Sequence, residues 1–129
     1  MGTFTYHGGA AYHRSIGQNL LPTAALYPYS DGYFGYSSPS SGSRTRNILS
    51  QDPMAAAEDF YYKISYGGIE HLYDNGSRRI TRMGDGSIIT MRTVSKSDGT
   101  PVVEINISGS SHTGGIKKQK IHFISEGTK

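Results

Sequence analysis

Four side chains in the second half of the chain have the chemistry of acid–base catalysis and of anion binding. They are Arg92, Glu104, Lys120 and His122, and each lies in a short segment in which polar and apolar residues alternate. A carboxylate or an imidazole can exchange a proton, whereas a guanidinium and an ammonium hold negatively charged oxygens. Brought together, these groups predict phosphoryl-transfer chemistry, so the elements that position them decide the question.

Four segments with period-two patterning predict four β-strands. Glycine-containing joins that are too short for a crossover helix separate them, which predicts antiparallel neighbours in a meander. The segments are "RRITRM" (78–83), "SIITMRTVS" (87–95), "PVVEINIS" (101–108) and "KKQKIHFI" (117–124).

A helix is predicted just before these strands, in "SQDPMAAAEDFYYKISYGG". Asp52 is a good N-cap, Pro53 suits the first helical position, and Gly67 with the glycine after it supplies a stop. Phe60 and Ile64 lie four residues apart and form an apolar stripe suited to packing on a sheet. The predicted fold class is α+β, with an N-terminal helix packed on a four-stranded antiparallel meander sheet.

The alternation predicts which side chains share a face of this sheet. With the helix covering the apolar set, the opposite, open face collects the polar residues, although Ile80 leaves the first strand ambiguous. The polar residues are Thr90, Arg92, Glu104, Asn106, Lys120 and His122, with Lys118 nearer the start of the last strand.

The open face thus gathers what a metal-independent ribonuclease requires. Glu104 or His122 would take the proton from a ribose 2'-hydroxyl, and His122 would protonate the leaving 5'-oxygen. Arg92 would grip phosphate oxygens as a fork and Lys120 would act as a point charge. The alternative is that His122 is a structural or solvated strand residue, the commoner role of a single histidine on a strand.

Other polar residues are weaker candidates for contacts with a substrate. Ser95, Ser97 and Thr100 would donate hydrogen bonds to a phosphate, yet these types are also ordinary in a hairpin turn. His71 and His112 lie outside the strands, as candidates for a second imidazole on the same face. No phosphate-binding loop, dinucleotide fingerprint or metalloprotease motif is present, whereas a Ser-His-Asp hydrolase stays open because such triads are recognised by geometry.

The composition of the chain limits the number of domains and the kinds of site that it can form. The 129-residue chain suits one domain, and its zero cysteines exclude disulfides, a thiol nucleophile and thiolate zinc sites. No apolar run approaches a membrane span. Residues 77–124 hold eight basic side chains against three acidic ones, a net +5, whereas residues 51–76 are acidic. Such asymmetry is typical of a surface that meets a polyanion, and equally of a solvated sheet whose lysines protect its edges.

Residues 1–50 are rich in Gly, Ser and Tyr, as in "YPYSDGYFGYSSPSSGS". This composition predicts a linker whose aromatic residues pack in part onto the folded domain or a partner, with one helical candidate around residues 15–26. The predicted organisation is a linker over 1–50 and a folded domain over 51–129.

The second half of the chain resembles a known protein family, and this resemblance would make residues 1–50 a pre-toxin segment. The run "MGDGSIITMRTVSKSDGTPVVEINIS", followed by "KKQKIHFI", resembles the C-terminal toxin domains of bacterial polymorphic toxins, over roughly residues 51–124. Such domains resemble the ribonuclease fold of barnase, the EndoU nucleases, the nuclease colicins and RelE. The resemblance points to Arg92, Ser95, Ser97, Glu104, Lys120 and His122.

The resemblance implies metal-free RNA cleavage without a cofactor, often of tRNA, by a monomer secreted from a bacterial producer. It also implies a cognate immunity protein, whose surface should be acidic to meet the basic segment. Two other functions remain: a non-catalytic nucleic-acid-binding module that uses the same basic face, and a structural fragment of a surface protein in which the Tyr-rich residues 1–50 are the functional part.

Overall fold

The structure, a computed structural model, describes residues 4–6, 14–38, 42–95, 99–107 and 111–126. Within these ranges there are ten strands, two α-helices and three short 3-10 turns. The strands are β1 Phe4–Tyr6, β2 Tyr29–Ser30, β3 Tyr33–Phe34, β4 Tyr36–Ser38, β5 Gly42–Ser50, β6 Ile69–Tyr73, β7 Arg78–Arg82, β8 Ile88–Arg92, β9 Val102–Asn106 and β10 Gln119–Ser125. The helices are α1 Leu20–Ala24 and α2 Pro53–Ile64, and the 3-10 turns are Ile16–Asn19, Asp74–Gly76 and Ser111–Thr113.

The four predicted strands exist and pair as a meander, β7-β8-β9-β10, but the predicted four-stranded antiparallel sheet is wrong. In the described part of the chain the sheet has eight strands, in the order β1-β6-β7-β8-β9-β10-β5-β4. It is also mixed, because β5 pairs parallel to β10. A parallel pair requires a long crossover, which α2 and the whole meander provide here. The physical reason for the larger sheet is that β10 would otherwise be an edge strand with unpaired backbone N–H and C=O groups. Strand β5 forms hydrogen bonds with these groups.

Helix α2 forms where the sequence predicts it. The Asp52 side chain accepts a hydrogen bond from the Ala55 N–H at 3.1 Å, and Pro53 opens the helix. The helix ends at Ile64, and Gly67 follows with a φ of 82°, a conformation that glycine adopts at little cost. Phe60 and Ile64 are buried against the sheet, as the apolar stripe predicts.

The core lies between α2 and the covered face of the sheet, the face on which α2 packs. The Phe60 ring lies at its centre, 4.9 Å from the Phe34 ring and 5.6 Å from the Phe123 ring between centroids. Such edge and tilted aromatic pairs add to the stabilisation from apolar burial. Of the strand residues predicted to face the helix, Ile107 is only partly buried and the others are fully buried: Ile89, Met91, Val103, Ile105, Ile121 and Phe123.

The boundary predicted at residue 50 does not hold, because much of residues 14–50 belongs to the same fold and is not a linker. Ile16, Phe34 and Ile48 are core residues. The buried Gln119 side chain joins this segment to β10: it donates to the Gly32 carbonyl at 2.9 Å and accepts from the Phe34 N–H at 2.8 Å. The helical candidate is present as the Ile16–Asn19 turn followed by α1.

Candidate functional site

The side chains opposite α2 form the open face, and strand register arranges them in two neighbouring rows. Residues directly opposite one another in paired strands point to the same side of the sheet. The central row contains His71, Ile80, Thr90, Glu104, Lys120 and Thr45. The second row lies at the end of the sheet where β8 and β9 are connected, and we call it the loop-side row. It contains Tyr73, Arg78, Arg92, Val102, His122, Asn47 and Tyr36.

The register brings the four predicted catalytic residues together. Glu104 lies directly opposite Lys120, and His122 is two residues further along β10. Glu104 and His122 are therefore diagonal neighbours, a relationship that separates residues by about 7–8 Å. Arg92 lies two residues beyond Thr90, the residue opposite Glu104 on β8. All four side chains thus occupy one patch that spans three strands.

Arg92 and Glu104 form an ion pair across this patch. Arg92 Nη1 lies 2.9 Å from Glu104 Oε1, and the two side chains are 34% and 40% exposed. At this exposure the pair contributes little to stability, but it fixes where the carboxylate and the guanidinium point. The pair therefore supplies a positioned carboxylate next to a positioned cation, both accessible to a ligand.

His122 is buried, so the interpretation of a solvated strand residue is wrong. The residue is only 6% exposed, and Val102 beside it is also buried although α2 lies on the other side. In the connection between β8 and β9, Thr100 lies next to the imidazole, with its Oγ1 3.0 Å from His122 Nδ1. Thr100 therefore orients the imidazole through Nδ1.

A cleft of about 330 Å³ lies along the central row. It holds most of the predicted substrate-binding residues together with three that were not predicted, Arg44, Thr45 and Gln119. The polar side chains lining it are Arg44, Thr45, Thr90, Glu104, Asn106, Lys118, Gln119 and Lys120. Of the described residues, none places a carboxylate within ion-pair distance of Lys120, so its ammonium is available to an anion. Arg44 and Thr45 were missed because no local pattern in residues 42–50 indicates that β5 pairs with β10.

A second cleft, of about 480 Å³, adjoins the loop-side row. Its lining includes Ser77, Arg78, Arg92 and Thr93. Arg78 was missed as a site residue because the face of its strand was ambiguous in the sequence. The pairing of β7 with β8 places Arg78 directly opposite Arg92 and removes the ambiguity.

The open face also carries aromatic side chains, which the four predicted strands alone did not offer. Tyr73 on β6 and Tyr36 on β4 lie at opposite ends of the loop-side row. The Arg78 guanidinium lies over the Tyr73 ring, 4.7 Å from its centroid, and the His71 ring is stacked with the Tyr73 ring at a centroid distance of 6.5 Å. The segment "IEHLY" does not alternate strictly between apolar and polar residues, so its pattern offers no clear sign of β6.

The predicted contacts of Ser95 and Ser97 with a phosphate stay predictions. Ser95 is buried, and its N–H donates to the Thr100 carbonyl at 2.7 Å. Ser97 lies outside the described residues, as do His7 and His13. Of the two candidates for a second imidazole, His71 is on the open face, whereas His112 lines a separate pocket with Ser15 and Gln18.

Among the described residues no three histidine or acidic side chains are grouped so that they could hold a metal ion. In the same part of the chain no helix has the length and apolar character of a membrane span. Comparison of the chain with known protein families, with curated proteins and with solved structures finds no match. The resemblance to polymorphic-toxin domains therefore stays a prediction based on the sequence run itself.

Proposed function

We propose that the protein is a metal-independent endoribonuclease that acts on the open face of its sheet. The observation that carries this proposal is the placement of Arg92, Glu104, Lys120 and His122 in one patch across β8, β9 and β10. A base, an acid and two cations at this spacing are the groups that cleavage of an RNA phosphodiester uses.

In the proposed reaction Glu104 takes the proton from a ribose 2'-hydroxyl, and the 2'-oxygen attacks the adjacent phosphorus. The bond from phosphorus to the 5'-oxygen breaks as His122 gives that oxygen a proton, which leaves a 2',3'-cyclic phosphate and a 5'-hydroxyl. The diagonal spacing of about 7–8 Å between Glu104 and His122 leaves room for the phosphate between the two groups. Arg92 and Lys120 stabilise the charge that builds on the phosphate oxygens.

The biological setting we propose follows from the toxin resemblance. The chain would be the toxic part of a protein secreted by a bacterial producer and would act on RNA, with tRNA as the implied substrate, in the cytoplasm of the target cell. A producer requires protection from such an enzyme. We propose an immunity protein whose acidic surface covers Arg92 and Lys120, since the net +5 segment would attract it over a distance.

A second function, a non-catalytic RNA-binding module, is favoured by one observation. Tyr73 and Tyr36 place aromatic rings on the open face, and single-stranded nucleic acids bind through base stacking combined with basic side chains. Both functions involve salt-dependent binding to RNA, so turnover is the property that separates them.

The test of the proposed function is incubation of the purified chain with total RNA, with and without a chelator. We expect fragments that end in 2',3'-cyclic phosphate, in equal yield under both conditions. Glu104→Gln should abolish cleavage, whereas Glu126→Gln, an exposed glutamate just after β10, should leave it unchanged. RNA that stays intact under every condition would favour the binding module.

A further inference from the structure

The second cleft contains a charge arrangement that the proposed reaction does not use. Arg78 and Arg92 are direct cross-strand neighbours, and like charges in this relationship destabilise a sheet unless another charge compensates them. Arg92 is compensated by Glu104 at 2.9 Å. Among the described residues, the one carboxylate that pairs with Arg78 is Asp74, at 3.6 Å and through Nε, and the Asp74 side chain is 70% exposed.

This carboxylate is a weak partner for Arg78. A charge-assisted hydrogen bond is about 2.7–2.9 Å long, so a separation of 3.6 Å is an ion pair without such a bond. Asp74 approaches the Nε edge, which leaves the two Nη nitrogens of Arg78 for a ligand. The guanidinium is held in place by the Tyr73 ring beneath it, so it is pre-organised to bind an anion.

The remaining lining of the cleft also suits a phosphate. Ser77 and Thr93 contribute hydroxyl groups, and their backbones are tied together by a hydrogen bond of 2.9 Å from the Thr93 N–H to the Ser77 carbonyl. Two guanidinium groups and two hydroxyls therefore surround a cleft with room for a phosphate group and its sugar.

The cleft is too far from His122 to bind the phosphate that is cleaved. Arg78, Arg92, Val102 and His122 occupy one row over four neighbouring strands. Three strand spacings of about 4.8 Å separate the Arg78 and His122 backbones by roughly 14 Å. An anion held by Arg78 is thus a different group from the one between Glu104 and His122.

We propose that the cleft between Arg78 and Arg92 binds a second backbone phosphate of a single-stranded RNA, displaced along the chain from the phosphate at the reaction centre. The assignment to an RNA rests on the proposed function. In this arrangement the loop-side row guides the strand across the sheet, with Arg78 as a substrate-positioning residue and Arg92 shared between the two phosphates.

The test measures the binding of a short fluorescein-labelled oligodeoxynucleotide by anisotropy at several salt concentrations. This probe lacks the 2'-hydroxyl and cannot undergo the proposed reaction. Arg78→Gln should weaken binding by about tenfold, the effect of losing one charged hydrogen-bonding group. It should also make the salt dependence shallower by about 0.7 in log–log slope, the value for one phosphate contact on a single strand.

Two matched variants sharpen the test. Arg82→Gln removes an exposed arginine from the same strand and the same face but from its other end, and should change affinity by less than about twofold. Asp74→Asn removes the competing carboxylate and should strengthen binding. Asn tolerates the positive φ of 52° at this position, so the turn is retained.

The outcomes separate this proposal from the proposed function. Arg78-dependent binding by a chain that leaves RNA intact would keep the phosphate site and refute the ribonuclease. Equal binding by Arg78→Gln and Arg82→Gln would refute the phosphate site, whether or not RNA is cleaved. Stabilisation by inorganic phosphate that depends on Arg78, without any Arg78-dependent binding of the oligonucleotide, would overturn the assignment to a polynucleotide.

Discussion

The two faces of strands β8, β9 and β10 are built from alternate residues of the same short segments, yet they have opposite properties. The covered face is apolar and fully buried beneath α2, with Phe60 of the helix packed on Phe123. The open face carries the ion pair of Arg92 and Glu104 and two clefts. Stability therefore resides mainly on one side of the sheet and the proposed chemistry on the other.

This difference shows how a small domain keeps a charged site without weakening its core. Because side chains alternate across a strand, each polar position on the open face follows an apolar position that anchors the strand. The loop-side end of the open face departs from this division, since His122 and Val102 are buried there and Thr100 contacts the imidazole. The proposed proton donor is thus the most enclosed of the four catalytic candidates.

The largest stability effect should come from the covered face. Phe123→Ala removes a fully buried ring that packs on Phe60, and we expect a loss of about 3–5 kcal/mol in the free energy of unfolding, measured by chemical denaturation. Thr90→Ala, on the open face of β8, should change it by less than about 0.5 kcal/mol. Comparable losses in the two variants would break the division between the faces.

A smaller effect should come from the connection between residues 14–50 and the sheet. Gln119→Ala leaves the Phe34 N–H and the Gly32 carbonyl without their buried partner, and we expect a loss of about 1–3 kcal/mol in the free energy of unfolding. Lys118→Ala, at the exposed neighbouring position, is the control and should be near neutral. If Gln119→Ala were also neutral, the first segment would not contribute to the stability of the domain.

The smallest effect concerns the outer side of α2. Burial raises the pKa of the Asp59 carboxyl, but hydrogen bonds from Lys63 and from the Tyr27 hydroxyl outweigh it and hold the pKa below its ordinary value. A lowered folded-state pKa stabilises the protein above the unfolded-state pKa of about 3.9, and this contribution is lost as the pH falls through the folded-state value.

Asp59→Asn should therefore cost at most about 1 kcal/mol at neutral pH, since the pair is largely exposed. The difference from the parent protein should shrink as the pH falls below about 4 in urea-denaturation curves. A difference that stays constant down to the lowest accessible pH would show that the charge of Asp59 has no part in it.

The sequence predicted the helix and the meander because their patterns follow the rule of apolar residues inside and polar residues outside. The pattern did not predict β5 and β6, because in each of these strands a charged residue faces inward. On β5 the inward Arg46 donates to the Phe34 and Gly35 carbonyls and lies over the Tyr33 ring. On β6 the inward Glu70 is buried beside Tyr61. Only tertiary contacts make such positions acceptable in a core, so pattern alone does not reveal them.

The part of the candidate site that depends on the alternation of polar and apolar residues along the strands could be predicted from the sequence. The positions of Arg92, Glu104, Lys120 and His122 on one face follow from the strand pattern. The burial of His122 does not, because it depends on how the loop that contains Thr100 packs on the sheet. The place of Tyr73 depended on the pairing of β6 with β7, and the face of Arg78 depended on the register of β7 against β8.

The most direct test of the central claim is the single-turnover cleavage rate of His122→Gln on an RNA substrate. Glutamine fills more of the buried position than alanine, so the fold should be retained and is checked by circular dichroism. We expect the rate to fall by about two to four orders of magnitude, the usual contribution of a positioned general acid. On a substrate with a sulfur in place of the bridging 5'-oxygen, whose thiolate leaves without a proton, the rate should be largely restored. A folded His122→Gln protein that cleaves ordinary RNA at the parent rate would contradict the account.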